Sequence, residues 1–197
     1  MTDQISLARR DPINFAGIKL VFLDRDGVIN RKAPHGAYVV SWDDFEILPG
    51  VERAVAALNQ ADRRVVVVTN QRAIALGQMS ESELMAIHAK LQTHLGAFGA
   101  HLDAIYYCPH DVGQCTCRKP ATGLFERALA DFPEVRPESS VVIGDSYSDM
   151  VAGAAMKMKT IFIGDGSHPD PRSLDLANAL ASSLEQAVEL HLLRQSA

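Results

Sequence analysis

No apolar stretch in this 197-residue chain approaches the roughly 20 residues needed to cross a bilayer. Excess positive charge is missing as well: 19 Lys and Arg stand against 24 Asp and Glu, a formal charge of -5. That balance argues against a nucleic-acid backbone as the main partner, since such sites need clustered basic side chains. It leaves room for a small anionic substrate at one locally positive site. There is no internal repeat and no low-complexity tract. The stretch Met1 to Gly17 is polar, broken by Arg9, Arg10 and Pro12, and lacks the continuous apolar segment of a signal peptide. The expected location is the cytoplasm, with no membrane partner. Cysteine is rare too. Only Cys108, Cys115 and Cys117 occur, an odd set within ten residues, which in a cytoplasmic protein points to a metal rather than to disulfides.

What is present is an alternation. Apolar runs at Ile18 to Asp24, Arg64 to Thr69, Ala104 to Tyr107, Ser140 to Gly144 and Lys159 to Gly164 have the length and continuity of strands covered on both faces. Helical patterns lie between them, from Pro49-Gly50 to about Ala61, Gly123 to Asp131, Asp149 to Met156 and Ser183 to Leu193. A further helix follows the capping box Ser80-x-x-Glu83, with Leu84, Ile87, Leu91, Leu95 and Phe98 on one stripe. The pattern predicts a single α/β domain over 1–197, its core at about 18–164, built on a mostly parallel sheet. Ligands of such sheets bind at the carboxyl ends of the strands. Asp24, Thr69, Cys108 and Asp145 all fall there. No coiled coil or exposed helical seam is evident, so a monomer is expected.

Four short segments carry charge or hydroxyls at those ends. Asp24-Arg-Asp26-Gly27 places two carboxylates two residues apart, so that one can attack phosphorus and the other transfer protons. A calcium loop uses the same string, so this segment alone leaves both readings open. Thr69-Asn70 offers a hydroxyl and amides for a phosphoryl oxygen, or a helix cap. Lys119 supplies a cation, or a solvated loop charge. Asp145 can bind a hard cation, with Asp149 as an outer ligand, a supporting partner or a cap of the next helix.

A fifth feature is the loop Cys108-Pro-His110, four residues, Cys115-Thr-Cys117. Three thiolates and one imidazole suit a closed, structural tetrahedral zinc site. It leads directly into Arg118-Lys119. Elsewhere, His88 and His94 read as structural or surface groups, His168 as part of a turn-rich loop, and Trp42 as an anchor for the loop from Tyr38 to Phe45.

In order and placement the four segments resemble the haloacid dehalogenase superfamily of phosphohydrolases, from about Ile18 to Gly164. The resemblance implies a Rossmann-like three-layer sandwich. It implies Asp24 as nucleophile, Asp26 as general acid and base, and Thr69 and Lys119 as phosphoryl stabilisers. Magnesium would be held by the Asp24 carboxylate, the Asp26 carbonyl and Asp145. Cys-Pro-His followed by Cys-x-Cys-Arg-Lys-Pro is similar to the zinc-loop branch that contains heptose-bisphosphate and histidinol-phosphate phosphatases. Phe22 to Asn30, Val68 to Gln71 and Tyr106 to His110 look closer to the heptose enzymes, with Asn30 a specific match. That branch implies a minimal cap made of loops, around His35, Tyr38, Asn70, Gln71, Arg72, the zinc loop and Arg118. It also implies a sugar bisphosphate substrate of lipopolysaccharide or related synthesis, losing its C7 phosphate.

The chain departs from that pattern in three places. Gln71-Arg-Ala-Ile-Ala-Leu76-Gly77 has Arg72 early and Leu76 where an Arg is usual. The segment from Arg31 to Tyr38 is longer, reading His35-Gly-Ala-Tyr38. Ser146 stands where a Lys is frequent. These positions border the expected substrate or phosphate pocket and so bear on specificity. Histidinol phosphate or another small monoester is the alternative substrate. An inactive zinc-stapled binding module is the reading from another class. It predicts loss of a charged catalytic position, and Asp24, Asp26, Lys119 and Asp145 are all present.

Overall fold

A computed structural model describes residues 14–164 and 170–193. The expectations for residues 1–13 and for His168 fall outside them. Six strands lie in one parallel sheet: β1 (Leu20–Leu23), β2 (Arg64–Asn70), β3 (Ala104–Cys108), β4 (Ser140–Gly144), β5 (Lys159–Ile163) and β6 (Ala179–Ala181). Their order is β3-β2-β1-β4-β5-β6. Seven α-helices connect or cover them: α1 (Val51–Gln60), α2 (Arg72–Ala75), α3 (Glu81–Gly96), α4 (Gly123–Asp131), α5 (Tyr147–Ala155), α6 (Pro171–Leu176) and α7 (Leu184–Ala187), the last continued by a π turn over Val188–Leu192. The short elements α2, α6 and β6 carry too few apolar positions to show a period. Among the described residues no helix is long and apolar enough to cross a membrane.

Strand geometry sends alternate side chains to opposite faces. Val21, Leu23, Val65, Val67 and Ile143 join one buried cluster with α1 and α3, through Val55, Leu58 and Leu91. Leu20, Phe22, Val66, Val68 and Val142 pack on Leu124 and Phe125 of α4. Helices therefore cover both faces, and the continuous valine runs follow from burial on two sides. Phe22 and Phe125 meet edge to face at 5.1 Å.

The chain leaves β1 toward β2 and β3 on one side, then returns to β4, β5 and β6 on the other. Such a reversal opens a crevice at the carboxyl ends of the two central strands. Leu23 pairs with Ile143 across this boundary, so β1 and β4 end side by side. Residues 24–50, between β1 and α1, form only isolated bridges, at Asp26–Asn30 and Asn30–Ile47. The cap is thus made of loops, as expected.

The capping box of α3 is complete: Ser80 Oγ accepts from Glu83 N at 3.2 Å, and Glu83 Oε2 accepts from Ser80 N at 2.7 Å. Leu84, Ile87, Leu91 and Leu95 are buried as the stripe requires, but Phe98 is 57% exposed. The helix stops at Gly96, and Gly99 turns the chain at φ 69°. Phe98 therefore falls past the last helical turn and lies against His94 at 5.2 Å.

His88 sits on the inner face of α3, with Nε2 buried and unbonded. Burial pushes its pKa down to about 4, and the nearby Arg25 charge adds to the effect. The unfolded chain then takes up this proton first, below about pH 6.5. Stability is intact above that pH and is lost as pH falls toward 4. Between pH 7 and 4 the protein should lose on the order of 3 kcal/mol more than a His88→Leu variant. Urea denaturation of both proteins across this range measures the difference, and parallel declines would refute it.

Candidate active site

The site forms where β1 and β4 end. Asp24 follows β1 directly, its N–H donating to Ile143 O at 3.0 Å. Asp145 follows β4, and Asp149 occupies the first turn of α5. Carboxylate oxygens of Asp24, Asp145 and Asp149 lie within 4.8 Å of one another. Three like charges so close in a crevice demand compensation.

Lys119 supplies part of it. Its buried ammonium contacts Asp24 Oδ1 at 2.9 Å and Asp149 Oδ1 at 2.5 Å, and donates to Val68 O at 2.7 Å. One donated bond and two opposite charges thereby offset the cost of burying it. Its pKa is raised: burial pulls it down, but Asp149 and Asp24 outweigh that. Asn70 secures the backbone at this point. Its amide donates to Lys119 O and accepts from Lys119 N, both at 3.0 Å. Asn70 also lines the cavity, so the side chain predicted to meet substrate holds the Lys119 backbone from the cavity wall. Asp149 also caps α5, accepting from Ser146 N at 3.2 Å and Ser146 Oγ at 2.5 Å. The expected cap is thus present, and the same carboxylate contacts Lys119.

One lysine is not enough. Burial pushes the Asp24 pKa up to about 7; Lys119 opposes the rise, while Asp149 and Asp145 add to it. Asp145 is raised as well, chiefly by burial. Asp145 Oδ1 is buried with no hydrogen-bond partner. Hard carboxylate oxygens, one of them orphaned, fit a divalent cation such as magnesium. Gly27 makes room for this arrangement. It has φ 97°, and a Cβ there would stand 2.0 Å from Asp145 Oδ2.

Asp26 is gripped from the other side. Arg25 Nη2 donates to both its oxygens at 3.0 and 3.1 Å, Asn30 Nδ2 at 2.9 Å and Gln71 Nε2 at 3.0 Å. Gln71 also donates to Thr69 Oγ1 at 2.9 Å, linking the ends of β1 and β2. Arg25 is 1% exposed, with its guanidinium 5.4 Å from the Phe45 ring. Phe45 in turn stacks on Trp42 at 5.2 Å, so Trp42 anchors its loop as expected. Arg25 was legible only as the spacer between two aspartates.

A cavity of about 340 Å³ opens above these groups, lined by Asp24, Thr69, His35, Tyr38, Arg118 and Lys32 among others. This is the size of a small-molecule site. Arg72 does not line it. Its guanidinium pairs with Asp111 of the cysteine loop, at 2.5 and 3.3 Å. Lys32, which no pattern singled out, places Nζ 2.8 Å from Asp145 Oδ2.

The cysteine loop gathers its four donors within 4.8 Å. Sulfur atoms of Cys108, Cys115 and Cys117 are 3.3 to 3.5 Å apart. His110 Nδ1 is 3.6 Å from Cys108 Sγ and 3.4 Å from Cys117 Sγ. Tetrahedral zinc, with bonds of about 2.3 Å to sulfur and about 2.0 Å to nitrogen, sets similar spacings. The donor set fits zinc. The loop is stitched to the start of α4 by Gly123 N donating to Thr116 O at 3.2 Å. A Cβ on Gly123 would stand 2.7 Å from that oxygen.

Known proteins resemble this chain in sequence and fold. The HAD-hydrolase-like family profile matches residues 116–187. The D-glycero-alpha-D-manno-heptose-1,7-bisphosphate 7-phosphatase of Mycobacterium tuberculosis is 44% identical over 153 residues, spanning 75% of this chain and 80% of that protein. The D-glycero-beta-D-manno-heptose-1,7-bisphosphate 7-phosphatase of Vibrio cholerae is 38% identical over 183 residues, spanning 88% and 96%. Among solved structures, D,D-heptose 1,7-bisphosphate phosphatase from B. bronchiseptica, complexed with magnesium and phosphate, superposes with a TM-score of 0.77. It is 34% identical, covering 87% of this chain and 96% of that one.

The close approach of Gly27 to Asp145 is directly testable. Gly27→Ala should weaken magnesium binding at least tenfold in a calorimetric titration, because the new methyl group displaces Asp145 and strains a left-handed residue. Affinity equal to the unaltered protein would show that Asp145 is not held against Gly27.

Proposed function

The chain belongs to the HAD-like hydrolases, in the family of the D-glycero-manno-heptose-1,7-bisphosphate 7-phosphatases, and we propose that it removes the C7 phosphate of such a heptose bisphosphate through a phosphoaspartate. The observation that carries the mechanism is the buried Lys119 joining Asp24 to Asp149, beside Asp145, at the sheet's crevice.

Asp24 attacks phosphorus through a carboxylate oxygen, and the bond from phosphorus to the C7 oxygen breaks. Asp26 gives its proton to that departing oxygen. Thr69 Oγ1 and Lys119 Nζ stabilise the phosphoryl oxygens during transfer. Asp26 then takes a proton from water as the water oxygen bonds to phosphorus, and the Asp24 carboxylate is released. Magnesium, held by the Asp24 carboxylate, the Asp26 carbonyl and Asp145, supplies when bound the positive charge that keeps Asp24 ionised beside an anionic phosphate. Asp149 supports the site through Lys119. Gln71 and Asn30 orient Asp26.

His35, Tyr38 and Arg118 on the cavity wall support recognition of the sugar and its second phosphate. Arg72 acts at one remove, bracing the zinc loop through Asp111. Zinc on Cys108, His110, Cys115 and Cys117 orders the loop that presents Arg118 and Lys119. Reduced thiols suit a cytoplasmic enzyme, and we take it to act there as a monomer and a single domain.

A phosphate-release assay with magnesium should show turnover on heptose 1,7-bisphosphate above histidinol phosphate and other sugar bisphosphates. Both anomers belong in the panel, because the relatives divide between them. Asp24→Asn should lower turnover by at least a thousandfold with an unchanged circular dichroism spectrum. Best turnover on histidinol phosphate would overturn the substrate, and an active Asp24→Asn protein would overturn the nucleophile. Unchelated protein should contain about one zinc per chain, measured by elemental analysis. Its removal should lower the melting temperature and raise KM more than it lowers kcat.

A further inference from the structure

The cavity contains a cation that the proposed mechanism does not use. Lys32 belongs to the loop after β1, 113 residues from Asp145 in the chain, yet its ammonium reaches the Asp145 carboxylate. The carboxylate is 16% exposed, and the lysine stem 56%. Among the described residues Asp145 is its one hydrogen-bond partner. An ion pair between two solvated groups contributes little. Here the acceptor lies in a crevice beside Asp24 and Asp149, where an added positive charge counts for more.

The neighbouring groups explain why a second lysine is present. Lys119 Nζ already contacts Asp24 and Asp149 and donates to Val68 O, so this one ammonium is shared among three partners before a phosphate arrives. Segment 144–149 brings hydroxyls from Ser146 and Ser148 to the cavity but no cation. Three carboxylates against two ammonium groups leave one negative charge. A divalent cation turns this to one positive charge, which suits an incoming phosphate dianion. Without Lys32 these three carboxylates, Lys119 and the metal would sum to zero, and the dianion would lose one nearby positive charge.

Resting on the proposed metal-dependent phosphatase, we propose that Lys32 holds the Asp145 carboxylate until a divalent cation takes it. The released ammonium then pairs with an oxygen of the transferring phosphoryl group. The metal and Lys32 thus compete for one carboxylate, and metal binding frees a phosphate ligand on the loop above the cavity.

The test uses the full chain without sugar substrate. Magnesium affinity is measured by calorimetry, and orthophosphate affinity is measured at saturating magnesium. Lys32→Met keeps the stem and removes the charge. It should bind magnesium about three- to tenfold more tightly, since the competitor is gone, and orthophosphate about tenfold more weakly. Lys32→Arg should restore most of the phosphate affinity. A disturbed loop would weaken both ligands together, so the opposite signs identify the charge. If magnesium binds Lys32→Met with unchanged or weaker affinity, or phosphate affinity does not fall, the role of Lys32 is overturned while the metal site stands. If the unaltered protein binds no magnesium, the metal assignment fails and this inference fails with it.

Discussion

The buried ammonium of Lys119 is the interaction on which the site depends. It joins the end of β1 through Asp24, the end of β2 through Val68 O, and the start of α5 through Asp149. A lysine buried this deeply is tolerable only because it donates to Val68 O and its charge is countered twice. Its carboxylate partners are in turn tolerable only with a cation among them. Loss of either kind of charge leaves the other stranded in a crevice, so stability and chemistry draw on the same contacts.

Two clusters of donors suited to metal ions differ in their chemistry. Carboxylate oxygens sit where phosphate would react, and thiolates and imidazole sit in the adjoining loop. Hard donors with an exchangeable cation serve catalysis; a closed soft set serves architecture. The link between them is covalent and short. Cys117 is followed by Arg118 and Lys119, and Asn70 clamps the Lys119 backbone to β2. Fixing the loop therefore fixes the cation.

The sheet supplies the frame but little of the selectivity. Parallel strands buried on both faces end at nearly one level, which brings Asp24, Thr69 and Asp145 to one crevice. The groups around the leaving alcohol come from loops instead. They are tied to the frame by side-chain pairs: Lys32 with Asp145, and Arg72 with Asp111.

Much of this was legible in the sequence because it rests on local rules. Apolar continuity marked the central strands, the Ser80–Glu83 box marked α3, and residue type and spacing marked Asp24, Asp26, Asp145 and the four soft donors. Phe98 was misread because a helical period continues on paper past the glycine that ends the helix. The long-range pairs had no local signature. Nothing near Lys32 names Asp145, and nothing near Arg25 indicates that its guanidinium is buried beneath Phe45. Asn70 has the chemistry of a ligand contact, and only the folded chain shows that its amide also holds the Lys119 backbone. Periodicity and residue chemistry act over a few neighbours, so the chain's order of residues is enough to mark its chemical groups and the strand ends that carry them. Which charges meet depends on the folded chain, because those distances arise from the crossover of the sheet and the path of the loops.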